Sequence, residues 1–294
     1  IKQCLLFQNG IGVLANIFLL LFYIFIILCL RPKPMDLISC QLTFTHTVLL
    51  LTSGVLWVTD ILDSLNIDND IKCKTMFYIS RVMRGLSICI TCLLSVFQAV
   101  TISPSTSFLG NFKFKLKKYI IYAFFYIWSL TLSFNSYLIF YVGSFTNVSE
   151  TNQRKVTKSC SLFPLNYIIK ALILTVTTSI DIFLLGVTLI TSAYIVFILQ
   201  HKYLHSLSHL RSSPEKKATQ TILLLVTFFV VMYWVDFIIS STAVLLWMYN
   251  PVIQSVQKLV LNVYPTITPL VQISSDNRII NILKNIRSKY HHIL

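Results

Sequence analysis

The run LLFQNGIGVLANIFLLLFYIFIILCL, from Leu5 to Leu30, contains no charged residue. A helix needs about 20 mostly apolar residues to cross a bilayer, and only an intact helix pairs all its backbone polar groups within one segment when no water is present. Leu5–Leu30 meets both conditions. Working outward from it, six further apolar runs of comparable length follow: Leu37–Thr59, Thr75–Val100, Tyr119–Val142, Tyr167–Leu199, Ala218–Trp247 and Ser255–Ile273. The pattern predicts an all-α membrane protein, a seven-transmembrane helix bundle forming a single domain over residues 1–294.

Composition agrees. Of the 294 residues, 55% are hydrophobic and 12% charged, too apolar for an ordinary soluble domain and too few for a second folded unit beside the bundle. The net charge of +14 comes as short clusters between apolar runs, with no continuous basic stripe, so membrane topology accounts for it and no nucleic-acid partner is expected. The first apolar run is much longer than a secretory h-region and is expected to remain as a signal anchor.

Basic residues orient the chain. The segments Arg31–Asp36, Thr101–Lys118, Gln200–Lys217 and Ser274–Leu294 hold 14 of the 24 Lys and Arg, which places them in the cytosol, the N-terminus outside and the C-terminus inside. Two features are consistent with that. Asn147-Val148-Ser149 is a glycosylation acceptor in the second outer loop. Cys73 and Cys160 precede the third and fifth spans on the outer side, where the secretory route permits a disulfide pinning that loop to the third helix. Cys4, Cys29, Cys40, Cys89 and Cys92 read as apolar fillers.

Polar residues within the spans mark the interior. On the third span Ser80, Arg84, Ser87, Thr91, Ser95 and Gln98 recur at helical spacing, with Arg81 one turn before Arg84. Lys170, Thr177, Asp181, Thr188 and Ser192 form a stripe on the fifth span; Tyr233, Asp236 and Ser240 form one on the sixth. Ionisable groups in a span cost about 2.5–3.5 kcal/mol each on insertion scales and persist where they pair or line a wet cavity. Arg81, Arg84, Lys170, Asp181 and Asp236 are therefore the candidate ligand-binding residues of a polar cavity, open to the outside and bounded by the third, fifth and sixth helices. The competing reading is that Arg84 pairs with Asp181 or Asp236 only to hold helices together. Pro265 and Pro269 are expected to interrupt the seventh span.

No enzyme motif is present: there is no paired-aspartate, Gly-x-Ser-Gly or His-Glu-x-x-His signature and no glycine-rich phosphate loop among seven glycines, so neither catalysis nor a cofactor is expected. Cys89-x-x-Cys92 lies in an apolar helix without a second pair, and His201, His205 and His209 read as a solvated face, so no metal is assigned. On the cytosolic side, Lys117, Lys118, Arg211, Lys216 and Lys217 are the candidate contacts for a protein partner, besides anchoring the helices to membrane lipid. Ser213 caps a helix whose first position is Pro214, so the sixth helix begins in the cytosol.

Several blocks resemble one family. Arg84-Gly85-Leu86-Ser87-Ile88-Cys89, continued through Cys92-Leu93-Leu94-Ser95-Val96-Phe97-Gln98 to Ser103-Pro104, is similar to the third helix and second inner loop of type 1 vomeronasal receptors. Cys160-Ser161-Leu162-Phe163-Pro164, the run from Ser213 to Leu223, Pro265-Thr266-Ile267-Thr268-Pro269 and Ser275-Asp276-Asn277-Arg278 resemble the same family, and the likeness covers nearly the whole chain. The resemblance implies a G-protein-coupled pheromone receptor in the plasma membrane of vomeronasal sensory neurons, with a small-molecule ligand and an inhibitory-class heterotrimeric G protein as partners. Asp-Arg-Tyr and Asn-Pro-x-x-Tyr motifs of rhodopsin-like receptors are absent, although Asn16 stands where those receptors carry an asparagine. The alternatives are a type 2 bitter taste receptor and, from a different class, a small-solute transporter, against which the odd number of spans argues.

Overall fold

The computed structural model describes residues 2–30, 32–55, 69–103, 108–144, 154–155, 160–162, 167–205, 227–236, 238–239, 251–276 and 278–281. Helix α1 is Lys2–Cys29, α2 Pro34–Val55, α3 Asn69–Ile102 and α4 Phe108–Asn135. After a separate helical turn at Leu138–Tyr141 come α5, Tyr167–His205, the described part of α6, Thr227–Asp236, and α7, Pro251–Ser275. Among the described residues four helical segments are long and apolar enough to cross a membrane: Gln3–Cys29, Asp70–Ile102, Tyr119–Phe140 and Ala171–Ile198. Both α2 and α7 open on a proline, whose missing N–H costs nothing in the first turn. Asp36 secures the start of α2 by accepting the Lys33 backbone N–H at 2.9 Å.

The bundle buries many polar side chains beside its apolar ones and is apolar outside. Thr43, Thr45, His46, Ser87, Thr91, Ser95, Thr188 and Asp236 are buried, whereas Phe7, Leu14, Leu28, Phe125, Ile190 and Phe197 project outward. That inversion suits a hydrocarbon solvent, in which apolar faces are the solvated ones. The third helix is central, packing on α2, α4 and α5. One apolar cluster joins Ile38 and Leu42 to Val82, Leu86, Ile90 and Ile120; a second joins Ile88 to Leu185, Phe229, Tyr233 and Tyr264.

Three features add to or change the sequence reading. The second outer loop holds a small antiparallel sheet, β1 Val142–Ser144, β2 Arg154–Lys155 and β3 Cys160–Leu162, in the order β1-β3-β2 with Ser144 opposite Cys160. Strand pairing satisfies the backbone of a segment that lies against α3, and the side chains of Leu138 and Val142 pack with Cys73. Cys73 is disulfide-bonded, while Cys4, Cys29, Cys40, Cys89 and Cys92 are free. Second, α4 begins at Phe108, so Lys113, Lys115, Lys117 and Lys118 precede the apolar segment Tyr119–Phe140 on a helical extension of it. Third, α7 runs unbroken through Pro265 and Pro269.

The last finding has a local cause. Proline at 269 has no N–H to give the carbonyl of Pro265, four residues earlier. Asn16 of α1 supplies the donor: its Nδ2 lies 2.8 Å from the Pro265 oxygen and 2.7 Å from the Gly12 oxygen. Close approach of the two helices makes this reach possible. A Cβ on Gly12 would stand 2.7 Å from Leu50 Cδ1 and 2.7 Å from Thr266 Oγ1, so any larger residue there forces those side chains to move. One turn along, Asn262 Nδ2 donates to Asn9 Oδ1 at 3.0 Å and Ser53 Oγ at 2.7 Å, tying α7 to α1 and α2.

Asn16→Ala is expected to lower the thermal stability of the detergent-purified protein, by about 0.5–2 kcal/mol for one interhelical bond. Pro269→Ala returns an N–H to the Pro265 carbonyl and should suppress most of that loss. A double-mutant cycle read by thermal unfolding measures the coupling.

Candidate ligand cavity

A cavity of about 670 Å³ lies between α3, α4 and α5, within the range of about 300–1,000 Å³ usual for small-molecule sites. Its floor on α3 includes Arg81, Arg84, Ile88, Cys89 and Cys92; Leu130, Thr131, Phe134 and Asn135 come from α4, and Thr177, Ile180, Asp181 and Phe183 from α5. Among the described residues the walls are therefore the third, fourth and fifth helices; the fourth adds to the expected third, fifth and sixth, and residues 240–250 of the sixth lie outside the described residues. At Gly85 a Cβ would meet Thr131 Cγ2 at 2.9 Å, so α3 and α4 approach closely at this level of the cavity. The fourth helix was missed because its polar residues are sparse, although Thr131 and Asn135, four apart and joined by a 2.7 Å bond from Asn135 Nδ2 to the Thr131 oxygen, carried the signal.

The candidate residues separate into two groups. Arg81, Arg84 and Asp181 line the cavity together, with both guanidinium charges acting on the Asp181 carboxylate. Asp236 is fully buried on α6, where it forms an ion pair with Arg84 and accepts a hydrogen bond from Gln257 Nε2 at 3.0 Å. Of the two partners considered for Arg84, the ion pair is with Asp236. Arg84 also lies over the Tyr233 ring at 5.9 Å, and its Nε is buried with no hydrogen-bond partner among the described residues. Arg84 thus links the cavity floor to α6 and, through Gln257, to α7.

Below Arg84 on the same stripe, Ser87 Oγ lies 3.1 Å from His46 Nε2, and the His46 ring meets Tyr264 edge-on at 5.1 Å. Thr91 Oγ1 is 3.4 Å from the Tyr264 hydroxyl, and Phe229 packs between Tyr233 and Tyr264 at 4.3 and 4.6 Å. This network joins α2, α3, α6 and α7 alongside the cavity, at the level of Ile88 and Cys92 on α3. Single polar residues such as His46 and Gln257 form no stripe of their own, which is why spacing did not mark them.

At another end of the bundle, Arg278 bridges two carboxylates: its Nη2 is 2.8 Å from Asp36 Oδ1 and 2.9 Å from Asp276 Oδ2. Hydrogen bonding to Asp36 in particular raises the guanidinium pKa above its ordinary value, so the clamp stays charged. It fastens the segment after α7 to the start of α2. Lys170 lies on α5 and Lys117 and Lys118 on α4, but their side chains lie outside the described residues, as do Asn147, Arg211, Lys216 and Lys217 and the side chain of Cys160.

A helical bundle with apolar outer faces, many buried polar side chains and a cavity of small-molecule size defines a multi-pass membrane protein built to hold a ligand among its helices. Residues 1–285 match the family model of the vomeronasal organ pheromone receptor family. Vomeronasal type-1 receptor 90 of Rattus norvegicus is 38% identical over 97% of this chain and 94% of its own length. Vomeronasal type-1 receptor 100 of Rattus norvegicus is 36% identical over 97% of this chain and 89% of its own, and vomeronasal type-1 receptor 48 of Mus musculus 36% over 97% and 96%. The chain belongs to the vomeronasal organ pheromone receptor family. It is a G-protein-coupled receptor, with a small-molecule ligand and a G protein as partners, and not an enzyme; neither the bitter taste nor the transporter alternative is favoured by these matches.

Removing one member of a buried ion pair costs about 3–5 kcal/mol, because the other charge is left uncompensated, whereas replacing both with apolar residues is often neutral. Asp236→Ala is expected to reduce surface expression several-fold, and Arg84→Met with Asp236→Met to recover it; flow cytometry of tagged receptor provides the measurement.

Proposed function

We propose that this receptor crosses the bilayer seven times, with its N-terminus outside, and binds a pheromone-like small molecule in the cavity on α3, α4 and α5. The observation that carries this reading is the convergence of Arg81, Arg84 and Asp181 on one cavity whose remaining lining is largely apolar. Charged groups at membrane depth are retained where they serve a site, and these three come from two separate helices. Lys170 and Asp236 complete the set: Asp236 holds Arg84 in position, and Lys170 lies on α5 three turns before Asp181. The disulfide of Cys73 is read as joining it to Cys160, the one cysteine of seven not otherwise accounted for. Asn147 is read as glycosylated.

Signalling follows as a population shift. A ligand that prefers the cavity when α6 is displaced stabilises that state and opens an inner cleft for an inhibitory-class heterotrimeric G protein. Arg84 is the connection, since it forms part of the cavity floor and pairs with Asp236 of α6. Lys117, Lys118, Arg211, Lys216 and Lys217 flank the cleft and also bind anionic lipid at the cytosolic face of the plasma membrane of vomeronasal neurons.

Cells expressing the chain with an inhibitory-class G protein test the reading in a screen of urinary small molecules. For an agonist found there, Arg81→Ala should raise the half-maximal concentration by about tenfold, equivalent to 1.4 kcal/mol. Lys216→Glu with Lys217→Glu should abolish signalling while binding persists. Unchanged potency in the first variant, or full signalling in the second at equal surface level, removes the assigned roles.

A further inference from the structure

The cavity has two properties beyond its position. Among the described residues its walls α4 and α5 each pack on α3 but not appreciably on one another, so the space between them is open at the side. Its rim is apolar: Tyr126, Leu130, Phe134, Ile180 and Phe183 line the cavity and are also exposed, Tyr126 to 66% and Phe183 to 68%. All five fall inside segments long and apolar enough to cross the membrane, Tyr119–Phe140 and Ala171–Ile198. A mouth with that rim at that depth faces hydrocarbon, since water is excluded there and aromatic and aliphatic side chains are the favourable lining.

The polar inventory is equally definite. Thr131, Thr177 and Ser179 donate their hydroxyls to carbonyls of their own helices at 2.7–2.8 Å, and Asn135 does the same with its amide. Among the described residues the charged members of the lining are Arg81, Arg84 and Asp181. Arg84 is compensated by Asp236, and Arg81 and Asp181 are opposite charges within electrostatic reach that close no ion pair with each other among the described residues. Among the described side chains this set therefore sums to zero before any ligand arrives, with Lys170 standing three turns away from Asp181 toward the start of α5. A ligand bringing its own net charge would leave one charge unmatched in a low-dielectric site. A hydroxyl brings none, and it both accepts from the Arg81 guanidinium and donates to the Asp181 carboxylate.

We propose that the cavity is entered from the bilayer between α4 and α5 and takes a neutral molecule with an apolar body and a hydroxyl end, held between Arg81 and Asp181. This deepens the reading of the cavity as the ligand site and rests on it.

Photolabelling tests it on the full chain in phosphatidylcholine vesicles, with a diazirine-bearing long-chain alcohol and the matching carboxylate as probes and peptide mapping as readout. The alcohol should label the α3 floor, Cys89 to Val96, together with the facing parts of α4 and α5, at least about tenfold more than the carboxylate does. Leu130→Trp, which fills the mouth, should slow labelling of α3 by a similar factor. Asp181→Asn makes the set net positive and should reverse the preference toward the carboxylate. Arg81→Gln makes it net negative and should favour the matching amine, which keeps the test available should the other variant fold poorly. Equal labelling by alcohol and carboxylate, labelling confined to the outer faces of α4 and α5, or Leu130→Trp without effect overturns the proposal. Nucleotide exchange on an added inhibitory-class G protein is measured in parallel. Labelling as expected with exchange unresponsive to the alcohols supports the pocket chemistry and locates the failure in the signalling reading.

Discussion

Water does not reach the middle of a bilayer, so polar groups there depend on partners within the protein, and that constraint governs most of this structure. It makes the backbone helical, turns Thr, Ser and His side chains inward, and puts Leu and Phe on the outer faces. It also explains how α7 can contain two prolines. The carbonyl that Pro269 leaves without a donor is met by Asn16, and Asn16 reaches it because glycine at 12 lets the helices approach. A kink in a soluble helix can be hydrated; here a neighbouring helix takes the place of water.

The same demand makes Arg84 the most consequential residue in the bundle. A guanidinium at that depth requires an anion, and Asp236 provides it from another helix. The pair fixes α6 against α3, while Gln257 brings α7 to the same carboxylate. Arg84 also contributes to the cavity floor, so one side chain belongs both to that surface and to the contact that positions α6. Beneath it, Ser87, His46, Thr91 and Tyr264 continue the path toward the centre of the bundle. The carboxylates around Arg278 make a comparable arrangement between α2 and the segment after α7.

Much of this was legible in the chain. Apolar length marked the helices, and four-three spacing marked the inward face of α3, because both follow from the fixed geometry of an α-helix and need no knowledge of neighbours. Arg81, Arg84, Asp181 and Asp236 stood out because charge in hydrocarbon demands a reason. The cavity wall was not legible. Asp236 of α6 is engaged by Arg84 in an ion pair, and the described lining adds α4, which lies close to α3 at Gly85. Strand pairing in the second outer loop escaped notice too, since strands of two or three residues carry no periodicity.

By itself, then, the sequence determined the membrane class, the helices and the faces they bury, because hydrophobic length and helical period are properties of single segments. Its blocks from Arg84 to Pro104 and from Ser213 to Leu223 also determined the family. Tertiary structure alone decided which carboxylate neutralises Arg84, which helices enclose the cavity, and which donor replaces the one missing at Pro269. Those outcomes depend on distances between helices, set by small residues such as Gly12 and Gly85 whose effect appears only when a second helix packs against them.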